Sequence, residues 1–121
     1  MGSLIDTSVL VGARDLGEHS EEWSVSVVTV GELEAGILIA PDAPARARRL
    51  ALLAAVLAEA PALPIDRQVA VRYGELRASA GRRPSNDLWI AATALAHDFT
   101  LITADESQAA LPLVRSRLVG G

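Results

Sequence analysis

Short, β-branched stretches alternate with longer stretches of helical apolar spacing along nearly the whole chain, and few folds accommodate that order. The strand candidates are Ser3-Leu4-Ile5-Asp6, Trp23 to Val28, Ala62 to Ile65 and Phe99 to Thr103. A brief helix is expected around Val9 to Ala13, after the Asp6-Thr7-Ser8 turn. Thr29 followed by Glu32 matches a capping box, which predicts a helix to about Ile39. Pro41 to Pro44 should end it, and a further helix runs from Ala45 to about Ala60 with Leu50, Leu53 and Leu57 as its stripe. Asp66 can cap a helix on which Val69, Tyr73, Leu76 and Ala80 recur at helical spacing. Ser85 or Asn86 should cap the next, from Asp87 to His97, with Leu88, Ala91, Ala92 and Leu95 inward. A short helix near Glu106 to Ala110 and an edge strand within Leu113 to Val119 complete the order. Strands separated by helices run parallel. The fold class is therefore α/β: one domain over residues 1–121, in three α/β/α layers, with a central parallel sheet of four to five strands.

Composition removes most chemistries. Half of the 121 residues are apolar and 21% are charged, which suits a folded chain with its own core. Cysteine is absent, so disulfides, thiolate metal sites and thiol nucleophiles are excluded. All eleven basic residues are arginine, which excludes a P-loop lysine and Schiff-base catalysis. With only His19 and His97, a multi-histidine metal site is not expected. A net charge of −4 is a poor footprint for bulk attraction to phosphate. No apolar run approaches the ~20 residues of a membrane span, and no signal-peptide pattern opens the chain. A cytoplasmic protein is expected.

What remains is carboxylates, hydroxyls and arginines, and the carboxylates are placed with regularity. Ligands of open parallel sheets sit beyond the carboxyl ends of the strands, where strand order reverses. Asp6 ends the first strand, and Glu32 lies one turn into the helix after the second. Asp87 opens the helix leading to the fourth strand, and Asp105 follows that strand. Each has a local alternative: Asp6 and Asp105 as helix caps, Glu32 as the partner of Thr29, Asp87 as a charge favourable to a helix N-terminus. Converging from four segments, they would repel one another unless a hard cation lay between them. Asp66 has a similar strand–helix position but reads as a simple N-cap.

Leu4-Ile5-Asp6-Thr7-Ser8-Val9-Leu10, Ser26 to Leu33 with Gly36, Asn86-Asp87 through Ala96, and Leu101-Ile102-Thr103-Ala104-Asp105 resemble four successive blocks of the PIN-domain family. The resemblance is strongest to its VapC-type ribonuclease toxins, which are inhibited by a cognate VapB-type antitoxin. It implies that Asp6, Glu32, Asp87 and Asp105 are catalytic and bind Mg²⁺, with Mn²⁺ as the other candidate, and that the enzyme is an endoribonuclease. It places Thr103 and Ser8 as hydroxyls beside that cluster. One departure stands out: family members often carry further Asp or Asn and an aromatic after the fourth strand, where this chain has Glu106-Ser107-Gln108.

An acidic nuclease still needs local positive charge, and Arg14, Arg82 and Arg83 flank the acidic residues as candidates for RNA contact. Trp23, Tyr73, Trp89 and Phe99 are the whole aromatic supply, with Phe99 expected in the core. The Leu33 to Leu57 segment holds more apolar residues than one buried side requires. Ile37, Leu38 and Ile39 are consecutive, and Leu52 and Val56 lie off the expected stripe. The resemblance implies an antitoxin segment laid across these helices, and a homodimer or toxin–antitoxin hetero-oligomer. Two alternatives are a flavodoxin-like phosphoacceptor signalling domain, which normally needs a lysine that this chain lacks, and a catalytically silent PIN-fold binding module.

Overall fold

In a computed structural model, which describes residues 2–12 and 22–120, eleven elements follow one another. They are β1 (Ser3–Ile5), α1 (Thr7–Gly12), β2 (Trp23–Ser26), α2 (Val27–Leu38), α3 (Ala43–Glu59), β3 (Ala62–Leu63), α4 (Arg67–Ala80), α5 (Ser85–Ala96), β4 (Thr100–Thr103), α6 (Glu106–Ala109) and β5 (Ser116–Leu118). The strands form one sheet in the order β3-β2-β1-β4-β5, and every pairing is parallel. The expected α/β class and parallel sheet are thus what the chain adopts. No helix among the described residues is long and apolar enough to cross a membrane.

Two cores follow from the two-residue period of the strands. Leu4 of β1 and Leu101 of β4 point to one face, where they pack with Val69 and Leu76 of α4 and with Leu88, Ala91 and Ala94 of α5. Ile5 and Ile102, one residue on, point to the other, against Val9 and Leu10 of α1, Leu33 of α2, and Leu53 and Val56 of α3. The paired register, Leu4 beside Leu101 and Ile5 beside Ile102, keeps the two sets apart. Central strands buried on both faces must be apolar throughout, which is why the β1 and β4 sequences do not alternate with polar residues.

Several element boundaries differ from the sequence expectation. The second strand stops at Ser26, because the Ser26 hydroxyl accepts the Val28 N–H and starts α2 two residues before Thr29. Thr29 is then a fully buried helical residue and not a cap. Asp42 accepts from the Ala45 N–H and starts α3 at Ala43, with Pro44 tolerated in the first turn. Neither Ser85 nor Asn86 caps α5: Pro84 holds that position without a side-chain cap bond. Asp66 does cap α4, through the Val69 N–H. Leu113 has a φ of 71°, and the edge strand shortens to Ser116–Leu118.

The face of α3 is also rotated from expectation. Leu53 and Val56 form its buried stripe, continued by Ala60 just past the helix, whereas Leu50 and Leu57 are 55% and 51% exposed. Both stripes contain Leu53, and only packing against α2 and the sheet selects between them. Leu53→Ala is therefore expected to lower stability by about 2–5 kcal/mol. Leu50→Ala and Leu57→Ala should each stay within about 0.5 kcal/mol. Urea denaturation midpoints of the three variants distinguish these faces.

Candidate active site

The strand order reverses between β1 and β4, whose successors run to opposite sides of the sheet, so a crevice opens beyond their carboxyl ends. Asp6 sits at its base. The Asp6 N–H donates to the Ile102 carbonyl at 2.8 Å, which extends the β1–β4 pairing to the residue that carries the carboxylate. Asp6 is 5% exposed, and an ionised carboxylate so placed must be hydrogen-bonded.

Two hydroxyls satisfy it. Ser8 and Thr103 each donate to Asp6 Oδ2 at 2.8 Å. Their own oxygens accept backbone N–H groups, Ser8 from Ala104 at 3.0 Å and Thr103 from Asp105 at 3.1 Å. A backbone N–H can only donate, so both hydroxyl protons are directed at the carboxylate. The 3.3 Å approach of Ser8 Oγ to Thr103 Oγ1 is then a contact between two acceptors. Both hydroxyls therefore bond the same carboxylate oxygen of Asp6, and neither bond involves Oδ1.

Glu32 enters from α2. The Thr7 hydroxyl lies 2.8 Å from Glu32 Oε1 and 3.0 Å from Thr29 Oγ1. It has one proton, which belongs with the charged acceptor, and the buried Thr29 hydroxyl can donate to Thr7 in turn. The Thr29–Glu32 spacing thus has a structural reason other than the capping box: both residues face α1 and share Thr7. Thr7 was not singled out from the sequence, although it adjoins Asp6.

Asp87 lies in the first turn of α5, half-buried. Burial pushes its carboxyl above the ordinary value, and Asp6, Asp105 and Glu32 push it further, while Arg83 opposes them. Asp87 therefore feels the other three predicted acidic residues across the crevice. Asp105 is different in kind. It is exposed, and its Oδ1 accepts from the N–H and hydroxyl of Ser107 as the N-cap of α6, which holds it below its ordinary value. The local alternative for Asp105 is thus real, whatever else it does.

Among the described residues, no group of three His, Cys, Asp or Glu side chains is arranged to hold a metal ion as it stands. The donor chemistry nonetheless fits a hard cation, being carboxylate and hydroxyl oxygen without sulfur or imidazole. Arg82 is exposed, and Arg83 is half-buried with its Nη2 3.4 Å from Gln108 Oε1. Arg14 lies outside the described residues. The aromatic residues are largely committed elsewhere: Trp23 is buried, and Tyr73 stacks on Trp89 with ring centroids 3.8 Å apart. Phe99 packs at the edge of the Leu4–Leu101 core, as expected. Beside Glu32, a cavity of about 490 Å³ is lined by Thr7, Leu10, Leu33, Arg48, Arg49 and Leu52 among others.

A parallel sheet with carboxylates gathered at its switch point defines a class, and comparison with known proteins specifies it. The family model of the PIN domain matches residues 3–113, and the chain belongs to that family. Within it, the similarity is to VapC ribonucleases. Ribonuclease VapC4 of Mycobacterium tuberculosis is 42% identical over 119 residues, 91% of each chain. Ribonuclease VapC5 of the same organism is 40% identical over 118 residues, covering 89% of this chain and 86% of the relative. Among solved structures, VapBC-5 from M. tuberculosis, a member of the VapBC family of toxin-antitoxin systems, superposes with a TM-score of 0.82 at 35% identity, covering 99% and 98% of the two chains. VapBC2 from Rickettsia felis shares the fold, with a TM-score of 0.82 at 19% identity over 98% and 99%.

The raised Asp87 carboxyl has a consequence for stability. Its folded pKa exceeds the unfolded one, so the cost of its charge is absent below the carboxylate range and is incurred as pH rises through it. In chelator-treated protein, Asp87→Asn is expected to raise Tm at neutral pH, and the gain should vanish near about pH 3. Thermal unfolding followed across that range checks both the sign and the window.

Proposed function

We propose that this protein is a metal-dependent endoribonuclease, a toxin held in check by a cognate VapB-type antitoxin. The observation that carries the catalytic part is the buried Asp6 carboxylate, aimed by two hydroxyls into a crevice that Glu32 and Asp87 also face. The relatives named ribonuclease VapC, at about 40% identity across nearly the whole chain, support RNA as the substrate. The VapBC-5 toxin–antitoxin structure supports the partner.

Asp6, Glu32 and Asp87 would hold Mg²⁺ or Mn²⁺, with Asp105 beside them through the oxygen that its capping role leaves over. The bound cation supplies an activated water and neutralises charge developing on the phosphodiester. The protein's own groups do the rest. Ser8 and Thr103 hold the Asp6 carboxylate in direction through hydrogen bonds to its Oδ2, and Thr7 does the same for Glu32. Arg83, facing Asp87 and Asp105, and the exposed Arg82 beside it supply positive charge for the RNA backbone.

The purified protein should cleave RNA with Mg²⁺ or Mn²⁺ and stop when the cation is chelated. Asp6→Asn should abolish cleavage while leaving the protein folded. Cleavage that persists in chelator, or in Asp6→Asn, would refute this reading. RNA bound but never cut would favour the silent binding module.

The antitoxin's place is the apolar surface of α2 and α3. Leu38 and Ile39 are 76% and 77% exposed, and Leu52 walls the cavity that reaches Glu32. Val56, counted with that surplus on sequence grounds, is fully buried and belongs to the core. A segment seated here covers exposed apolar surface and obstructs the crevice together, and self-association into a homodimer would use the same kind of surface. Leu52→Glu is expected to weaken antitoxin capture by roughly tenfold or more. Leu38→Glu should weaken either that capture or self-association, and metal-dependent cleavage should survive in both. Titration calorimetry with the antitoxin and size-exclusion chromatography read these outcomes.

A further inference from the structure

Gln108 is 1% exposed, and a side-chain amide is costly to bury unless both of its ends are bonded. Here they are. Nε2 donates to the Asp87 carbonyl at 2.8 Å, and Oε1 accepts from Arg83 Nη2 at 3.4 Å. Gln108 lies on α6, three residues past Asp105, and both of its partners lie at or just before the start of α5. One buried side chain thus joins the segments that carry Asp87, Asp105 and Arg83.

The start of α5 needs such a tie. Pro84 gives no side-chain cap, and the Leu88 N–H reaches the Pro84 carbonyl only at 3.3 Å. The loop before it is pinned from α4 by Arg77, which donates to the Arg83 carbonyl at 2.9 Å and to Ser85 Oγ at 3.1 Å, but those bonds do not reach Asp87. Arg83 Nε is buried without a hydrogen-bond partner, and its Nη2 donates to Gln108 Oε1 at 3.4 Å. We infer that Gln108 is a positioning residue of the carboxylate site: its amide fixes the first turn of α5, and with it Asp87, and orients Arg83 alongside. A residue serving only to fill the core would be replaced without functional loss by an apolar side chain of similar size.

The inference rests on the nuclease reading only for its activity arm, so the experiment has two arms. In metal-free Gln108→Leu, backbone amides of residues 88–91 should exchange with solvent roughly fivefold faster, the equivalent of one lost hydrogen bond, with β1 and β4 unchanged. In the same variant, Mn²⁺ affinity by calorimetry and kcat for RNA cleavage should each fall about tenfold, while KM moves less than about twofold. Gln108→Met carries the same expectations if the leucine variant does not fold. Unchanged exchange in a folded variant would overturn the inference. So would faster exchange with Mn²⁺ affinity and kcat intact, or failure of both variants to fold, since either makes the role purely structural. A wild-type protein that neither binds Mn²⁺ nor cleaves RNA, with exchange still faster in the variant, would leave the tie standing and overturn the nuclease reading instead.

Discussion

A buried charge at the point where the sheet reverses order is the constraint on which the rest of this structure depends. Asp6 cannot be left unsatisfied at 5% exposure, and its partners come from both sides of it in the chain. Ser8 reaches back from α1, and Thr103 reaches across from the end of β4. Each hydroxyl is fixed by a backbone N–H of the turn after β4. The requirement of one carboxylate thereby determines how α1 leaves β1, where β4 ends, and how the chain turns into α6.

Around Asp6 the fold works against its own electrostatics. Glu32, Asp87 and Asp105 share the crevice, and Asp87 is held above its ordinary pKa by burial and by the other three. Such an arrangement lowers stability, and the structure offsets it locally. Arg83 faces two of the carboxylates, Thr7 bonds Glu32, and Asp105 is drawn into capping α6. Strained electrostatics of this kind collect at functional sites. The crevice that we propose as the nuclease site of this PIN-domain chain carries such a pattern.

The helices beyond the crevice divide their apolar residues between two duties. Leu33, Leu53 and Val56 complete the core under α2 and α3, whereas Leu38 and Ile39 remain in solvent at the end of α2. The cavity between these helices joins apolar walls to Glu32 and to two arginines. Leu33 both belongs to the core and lines that cavity, whereas Leu38 and Ile39 lie outside the core.

The alternation of short apolar segments with helical periods was enough to determine the α/β class and the parallel sheet, because these depend on local patterning and on the chirality and reach of the connections. The position of Asp6 was legible for a related reason, because a parallel sheet gathers residues at the carboxyl ends of its central strands. Ser8 and Thr103, by contrast, were implied only by the resemblance to the PIN-domain blocks. What the tertiary structure alone decided were rotations and partners. The α3 sequence supports two stripes through Leu53, and packing chose the one with Val56. Thr29 and Glu32 have capping-box spacing, yet Ser26 starts the helix and Thr7, from another element, takes both. Gln108 gave no signal in a four-residue helix, because its meaning lies in two bonds to residues more than twenty positions away. Local periodicity is carried within one turn or one strand of sequence, whereas the rotation of a helix and the partner of a buried polar group are determined only when distant segments meet.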